Sequence, residues 1–419
     1  MQRTTSFWIA MALGVTPLVG ACSGAAGGVE WAGTMRDSAG VQIVENPATG
    51  IWAPDKGWRL EEDLRIGTAE GEPEYQFGAV AAIAVDNAGT IYALDQQGQH
   101  IVAYDSTGHY LRTIGRGGSG LGELSPGVGG LALLTGDTLM VIDQGNARFA
   151  KFLTDGTPAG TFRIDVRGTG IPFRIVSDPH GGVIAQMRKL PIPGLTPDSL
   201  DRIVHLASDG TPTDTLLSVP SGRTIQVVNG APRWEFFSPE PLWNVRPGGL
   251  VSGINNEYRF ALRNAAGDVE QIVTKPFTPR EVSEDHADRM REAIIEIARR
   301  QAGRPLPPQA IQMMRTNMHF AEHYPVMGFI SAGPDSTIWI QQVRSVADLS
   351  EDELANFNIQ LDLASPNWDV FDSEGRYLGA VTMPGRIQLF AMKNGHFYGV
   401  MRDDLDVQYV VRLKLVKPA

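Results

Sequence analysis

Cysteine is almost absent. Cys22 is the single one in 419 residues, so no intrachain disulfide can staple the fold, which must rest on a core large enough to need none. Positive charge is also in deficit, with 36 Lys and Arg against 47 Asp and Glu and a formal net charge of −11, and this argues against nucleic acid as a partner. Long apolar runs are missing too: the one apolar stretch, Phe7 to Ala21, is interrupted by Thr16 and Pro17 and is too short to span a membrane as a helix. No complete set of nucleophile, base and oxyanion donors can be picked out, which points toward binding rather than catalysis.

What is present begins with a signal-like N-terminus. Arg3 precedes the apolar run, which finishes in Val19-Gly20-Ala21-Cys22, and residues 1–21 therefore read as a signal peptide. A buried N-terminal helix fits less well, because no apolar period resumes after Cys22 and Ser-Gly-Ala-Ala-Gly-Gly follows it as a tether; residues 22–40 are taken as tether and N-terminal segment. The small residues before Cys22 resemble a bacterial lipobox. That resemblance implies a diacylated and N-acylated Cys22 as a stable lipid anchor, and Ser23 after it implies the outer membrane, facing the periplasm or the exterior. The expected localisation is thus exported and lipid-anchored at the cell envelope.

The remainder carries an internal repeat. Ala82 to Asp95 and Leu131 to Asp143 both read as strand, polar turn, strand and aspartate, and Ile101 to Gly108 stands 48 residues before Phe149 to Gly156. A period near 48 with alternating apolar residues indicates β-propeller blades. Later copies are degenerate, but each keeps an opening proline (Pro73, Pro126, Pro172, Pro239, Pro325, Pro384), a short apolar strand and a Gly- or Asn-containing turn, which makes six blades over residues 41–418. The sixth has only three strands before the chain stops. The alternating segment Val41 to Asn46 is expected to supply its outer strand and close the ring.

Blades one and two resemble NHL repeats, most clearly at Leu139-Met140-Val141-Ile142-Asp143-Gln144-Gly145-Asn146-Ala147-Arg148-Phe149-Ala150-Lys151-Phe152 with its trailing Asp155-Gly156. Blade one keeps Asp95 but has Gln99-His100 where Asn and Arg would be expected, and blades three to six depart further. The whole chain is similar to six-bladed propeller lipoproteins of environmental bacteria. This resemblance implies an all-β, six-bladed propeller and says little of function.

Two helices interrupt the repeat over residues 278–324, as a hairpin between blades four and five. Thr278-Pro279-Arg280-Glu281 reads as cap, first-turn proline and capping-box glutamate, with Met290, Ile294, Ile297 and Ala298 as the apolar stripe, and a second helix is expected from Pro308 to Tyr324 carrying Ile311, Met314 and Met318. A shorter capped helix, Ser350 to Phe357, falls within blade five. The methionine-rich stripe reads as the face that packs the hairpin onto the propeller, or else as a lid or partner-binding face. His319-Phe320-Ala321-Glu322-His323 matches the H-x-x-E-H zinc pattern if helical, but no third ligand is identifiable and Pro325 ends the helix, so a solvated helix end is the expectation. Gly115 to Gly120 fits G-x-G-x-x-G without a following helix and reads as an inter-blade loop. Asp95, Asp105 and Asp143 read as turn-capping aspartates rather than calcium ligands. No cofactor is expected.

One constellation remains. Arg116, Arg174, Arg233 and Arg386, with Trp234, His323 and Tyr324, lie on loops that feed innermost strands, and a propeller would bring those loops to one face around its axis. They form the candidate site for an anion- or carbohydrate-like ligand. The leading expectation is a non-catalytic envelope protein binding a small molecule or a protein partner. The alternative is a metal-dependent hydrolase or lyase, as some six-bladed propellers are, which would need histidines and carboxylates at the starts of the inner strands.

Overall fold

The computed structural model describes residues 30–418 except 54–55, 136, 179, 190–199, 223–224, 229–230, 356 and 358–361; the signal-like segment and Cys22 lie outside the described residues. Each blade is built on four antiparallel strands, in chain order from the centre outward except that an N-terminal strand supplies the outer position of the sixth, and two further N-terminal strands extend the fourth to six. Blade one runs from Val80–Val85 through Ile91–Asp95 and His100–Tyr104 to Tyr110–Ile114. The innermost strands of blades two to six are Val128–Leu134, Ile171–Ser177, Pro241–Arg246, Phe329–Ala332 and Ile387–Lys393. Six blades and a helical insertion between the fourth and fifth are as the repeat predicts.

The core is distributed. Apolar side chains alternate on both faces of each strand, and each sheet is covered on both faces by its neighbours, so six apolar wedges form, one at each blade junction. Leu94 meets Leu131 between blades one and two, Met140 meets Ile175 between two and three, and Ile184 meets Trp243 between three and four. Val251 meets Ile330, Trp339 meets Phe397, and Val400 meets Ile83 to complete the circle. Because every wedge needs both its blades, the ring must close to be stable.

Closure differs from the sequence expectation. Val41–Glu45 does not reach the last blade: it lies parallel to Val269–Thr274 at the outside of blade four and carries the exposed hairpin partner Thr34–Ser38. The closing strand is Arg59–Ile66, antiparallel to Gln408–Val416. Its acidic run hid it from pattern reading, and so did a bulge between Glu62 and Leu64, which breaks the alternation. Those acids have cross-strand partners, Asp63 with Arg412 at 3.0 Å and Glu61 with Lys414 at 3.4 Å. Between the two strands the chain straps blade five. Asn46 donates to the carbonyls of Thr274 and Gly375 and accepts from Trp31 Nε1 and the Tyr377 N–H, while Trp52 N–H donates to Leu378. Residues 41–66 thus bind three consecutive blades from outside.

Antiparallel succession puts the starts of all innermost strands, the ends of second strands and the ends of outer strands on one face. The opposite face has short polar turns such as Asp105 to Gly108, where Asp105 accepts from the Thr107 and His109 N–H groups and Gly108 adopts φ +89°. On the first face, here called the mouth, three insertions build a cap. Helix α1 (Glu284–Ala302) begins later than expected: Ser283, not Thr278, caps it by accepting from His286 N–H, and Gly303 at φ +61° ends it. Helix α2 (Pro308–Asn317) stops seven residues before Tyr324, because Met318–Phe320 instead forms a strand parallel to Trp234–Phe236 of the hairpin made by Ile225–Val228 and Ala231–Phe236. Helix α3 (Glu351–Ala355) completes the cap. Met290, Tyr324, Val346, Leu349, Phe357 and Leu363 form its own core.

Candidate functional site

At the mouth, blades three, four and five enclose a cavity of about 330 Å³ lined by Phe173, Arg174, Gln186, Arg188, Glu240, Pro241, Leu242, Trp243, Phe329 and Ile330. Local chain geometry sets up its wall. The register of blade three shifts between Pro172 and Arg174, and the extra residue, Phe173, stands 53% exposed. Arg174 follows it, half-buried, and reaches across to blade four, where it donates to the Trp243 carbonyl at 2.6 Å. Its guanidinium carbon lies 5.0 Å from the Trp243 ring centre and 5.4 Å from that of Phe329. Among the described residues no carboxylate pairs with it. Burial without a counter-charge pushes its pKa down to about 10, so it is still a cation at neutral pH.

A fixed network stands behind it. Buried Asp201 receives Arg188 Nε at 3.0 Å and NH2 at 2.7 Å, Gln186 Nε2 at 2.6 Å and Ser221 Oγ at 2.7 Å. Gln186 Oε1 in turn accepts from Trp243 Nε1 at 2.7 Å. Arg188 is thereby held over Phe173, its guanidinium carbon 4.1 Å from the ring centre, with Glu240 at 3.9 Å. The cavity therefore offers an unpaired guanidinium, ring faces and one wall carboxylate, a set suited to holding an organic anion.

Of the sequence-predicted residues, Arg174 alone lines this cavity. Arg116 is exposed in the loop before blade two and pairs with Glu123 at 3.0 Å. Arg233 pairs with Glu235 within the cap hairpin, where Trp234 stands opposite Met318. Arg386 is held by Asp362 at 2.5 Å and by Glu353 at 3.5 Å. Tyr324 is buried in the cap core, its ring tilted against that of Phe237 at 5.0 Å and its hydroxyl accepting from Val346 N–H, and His323 is exposed beside Glu281. They do not converge on one cavity, and each arginine other than Arg174 is paired with a nearby carboxylate. Arg188, Asp201 and Glu240 were missed, since they lie at strand ends and in a loop outside the pattern used; the spacing of Gln186 and Arg188 on one strand face was the available signal.

The H-x-x-E-H reading fails for a structural reason: His319 and His323 do not share a helical face, because the helix has ended at Asn317. Among the described residues no three His, Cys, Asp or Glu side chains group as metal ligands. Asp95 accepts from the Gly78, Ala79, Gln97 and Gly98 N–H groups, and Asp143 from Ser125, Asn146 and Arg148, so both organise turns. Arg148 also donates to the carbonyls of Ser119, Gly120 and Glu123, pinning the glycine-rich stretch as an inter-blade loop.

No protein-family model matches the chain, and no curated protein matches it. Among solved structures it is similar to a candidate exported protein of Bacteroides fragilis, at 10% identity and a TM-score of 0.52, over 90% of this chain and 100% of that one. It is also similar to a DUF4221 family member from Bacteroides vulgatus, at 10% identity and TM-score 0.46 over 87% and 99%, and to a gluconolactonase of Xanthomonas campestris, at 11% and 0.40 over 80% and 88%. At such identities a likeness shows fold alone, and the first of these supports the propeller.

Proposed function

We propose that this protein is an exported, lipid-anchored envelope propeller that binds a small organic anion in the mouth cavity and carries out no chemistry on it. The observation that carries the reading is Arg174: a half-buried cation with no carboxylate partner among the described residues, lining a cavity beside the hydrogen-bonded Arg188, Asp201 and Gln186 network. A partly desolvated charge without a counter-ion is costly, and such a group lining a cavity is a candidate contact for an anionic ligand. The inner strands begin with Val80, Val128, Ile171, Pro241, Phe329 and Ile387, none of them an acid, base or metal ligand, which favours binding over the hydrolase or lyase alternative. The NHL-like reading of blades one and two draws support from the parallel turn-organising roles of Asp95 and Asp143. Export and anchoring rest on the signal-like segment and Cys22; the exported neighbour is in keeping with them, and among the described residues no helix is long and apolar enough to cross a membrane.

Two experiments test this. A thermal-shift panel of organic anions and their uncharged analogues should raise the melting temperature only with anions and only while Arg174 is present; stabilisation that survives Arg174→Gln moves the site elsewhere. Cys22→Ser should release folded protein from washed membranes, and retention of that variant removes the anchor.

A further inference from the structure

Resting on the anion-binding reading of the mouth, we propose that the cavity selects monocarboxylates carried on a flat apolar ring and rejects both dianions and sugars. The first ground is charge. Of the two guanidiniums at the cavity, Arg188 is already matched by Asp201, to which it donates from Nε and NH2. Arg174 is the one left open to a ligand. A phosphate dianion would bring a second negative charge with no cation to answer it among the described residues, in a partly desolvated space where like charges repel strongly. A single carboxylate instead matches the guanidinium fork with two parallel hydrogen bonds.

The second ground is the lining. Phe173, Leu242, Phe329 and Ile330 present apolar surface, and the ring of Phe173, with Arg188 over one face, protrudes beside it. The hydroxyls of a sugar would find few partners, because Gln186 has spent its amide oxygen on Trp243 and its amide nitrogen on Asp201. At about 330 Å³ the space lies at the small end of ligand sites, sufficient for a one-ring acid.

Calorimetric titration of the full chain with benzoate, phenyl phosphate, benzyl alcohol and glucuronate at pH 5 and pH 8 tests this. Phenyl phosphate passes from monoanion to dianion near a pKa of about 6. Benzoate should bind at both pH values with little change; phenyl phosphate should weaken at least about tenfold at pH 8, and benzyl alcohol and glucuronate should bind at least about tenfold more weakly than benzoate. Arg174→Gln should abolish benzoate binding and Arg174→Lys should weaken it, while circular dichroism reports folding; the pH comparison needs no variant. Phenyl phosphate binding equally well at pH 8, or glucuronate matching benzoate, would overturn the selectivity while leaving an anion site in place. Absence of benzoate binding at millimolar concentration also overturns it. Benzyl alcohol matching benzoate, or benzoate binding untouched by Arg174→Gln, would sink the anion reading as well.

Discussion

If Arg174 is retained for a ligand, removing it should weaken the empty protein little, whereas removing its neighbour Arg188 should weaken it more. Consider Arg174→Met, which keeps an unbranched apolar stem. A guanidinium held at a pKa of about 10 rather than its ordinary value is disfavoured in charged form by about 3 kcal/mol at most. This penalty is present at neutral pH and fades only as the pH rises through 10 toward the unfolded value, far outside any working range. Against its relief stand the hydrogen bond to the Trp243 carbonyl, worth about 1.5–3 kcal/mol, and cation–π contacts with Trp243 and Phe329, about 0.5–1 kcal/mol each. The difference runs from a slight gain to a loss of about 2 kcal/mol, and the variant should unfold in denaturant no more than about 2 kcal/mol below wild type. Arg188→Met, by contrast, leaves buried Asp201 without its cation and should cost about 3–5 kcal/mol. Urea or guanidinium titrations followed by tryptophan fluorescence measure both, with Trp243 as a reporter beside the site. A loss above about 2 kcal/mol for Arg174→Met would mean that the side chain serves the fold, and the functional argument built on it would fail.

Three further outcomes are expected. Asn46→Ala strips the clasp joining the N-terminal strap to blades four and five, leaving the Tyr377 N–H and the Gly375 carbonyl without partners, and should cost about 2–5 kcal/mol with faster amide exchange in residues 41–52 and 375–382; unchanged exchange there would refute the clasp. Deletion of residues 1–46 should loosen the outside of blade four but leave blade six closed, whereas deletion through Ile66 should unfold the ring, and equal melting of the two truncations would contradict the assigned closing strand. Glu353 is held at a pKa of about 2, first by the hydrogen bond from Arg344, so its stabilising effect is full above the unfolded glutamate value of about 4.3 and disappears as the pH falls toward 2. Limited proteolysis in acid should therefore cut residues 344–363 before the blades, and Glu353→Gln should show that susceptibility already at neutral pH; cutting that begins in the blades would refute the order.

How much of this was legible depends on the range of the interaction involved. Blades were readable because their signals are local: alternation sets the strands, an Asp that accepts from the N–H two residues on sets the turns with a nearby Gly, and the copy spacing repeats both, as Asp105 to Gly108 and Asp155-Gly156 show. Helices α1 and α2 were readable as amphipathic runs, but Met318–Phe320 was not readable as a strand, because its partner Trp234–Phe236 lies over 80 residues away. Ring closure posed the same difficulty in stronger form, since the alternating Val41–Glu45 offered itself, the acidic and bulged Arg59–Ile66 did not, and only contacts with Gln408–Val416 distinguish them.

The arginines divide along the same line. That Arg116, Arg174, Arg233 and Arg386 would share the mouth face follows from repeat topology, which the sequence carries by itself as a period. Which of them is left without a counter-charge does not, because pairing depends on where carboxylates arrive in space: Glu123 and Glu235 are sequence neighbours, but Asp362 reaches Arg386 from another blade. Fold class and face were determined by the sequence alone, through short-range patterning repeated six times; the closing strand, the cap and the absence of a carboxylate partner for Arg174 among the described residues were decided only in the tertiary structure, where desolvation and pairing act between residues far apart in the chain.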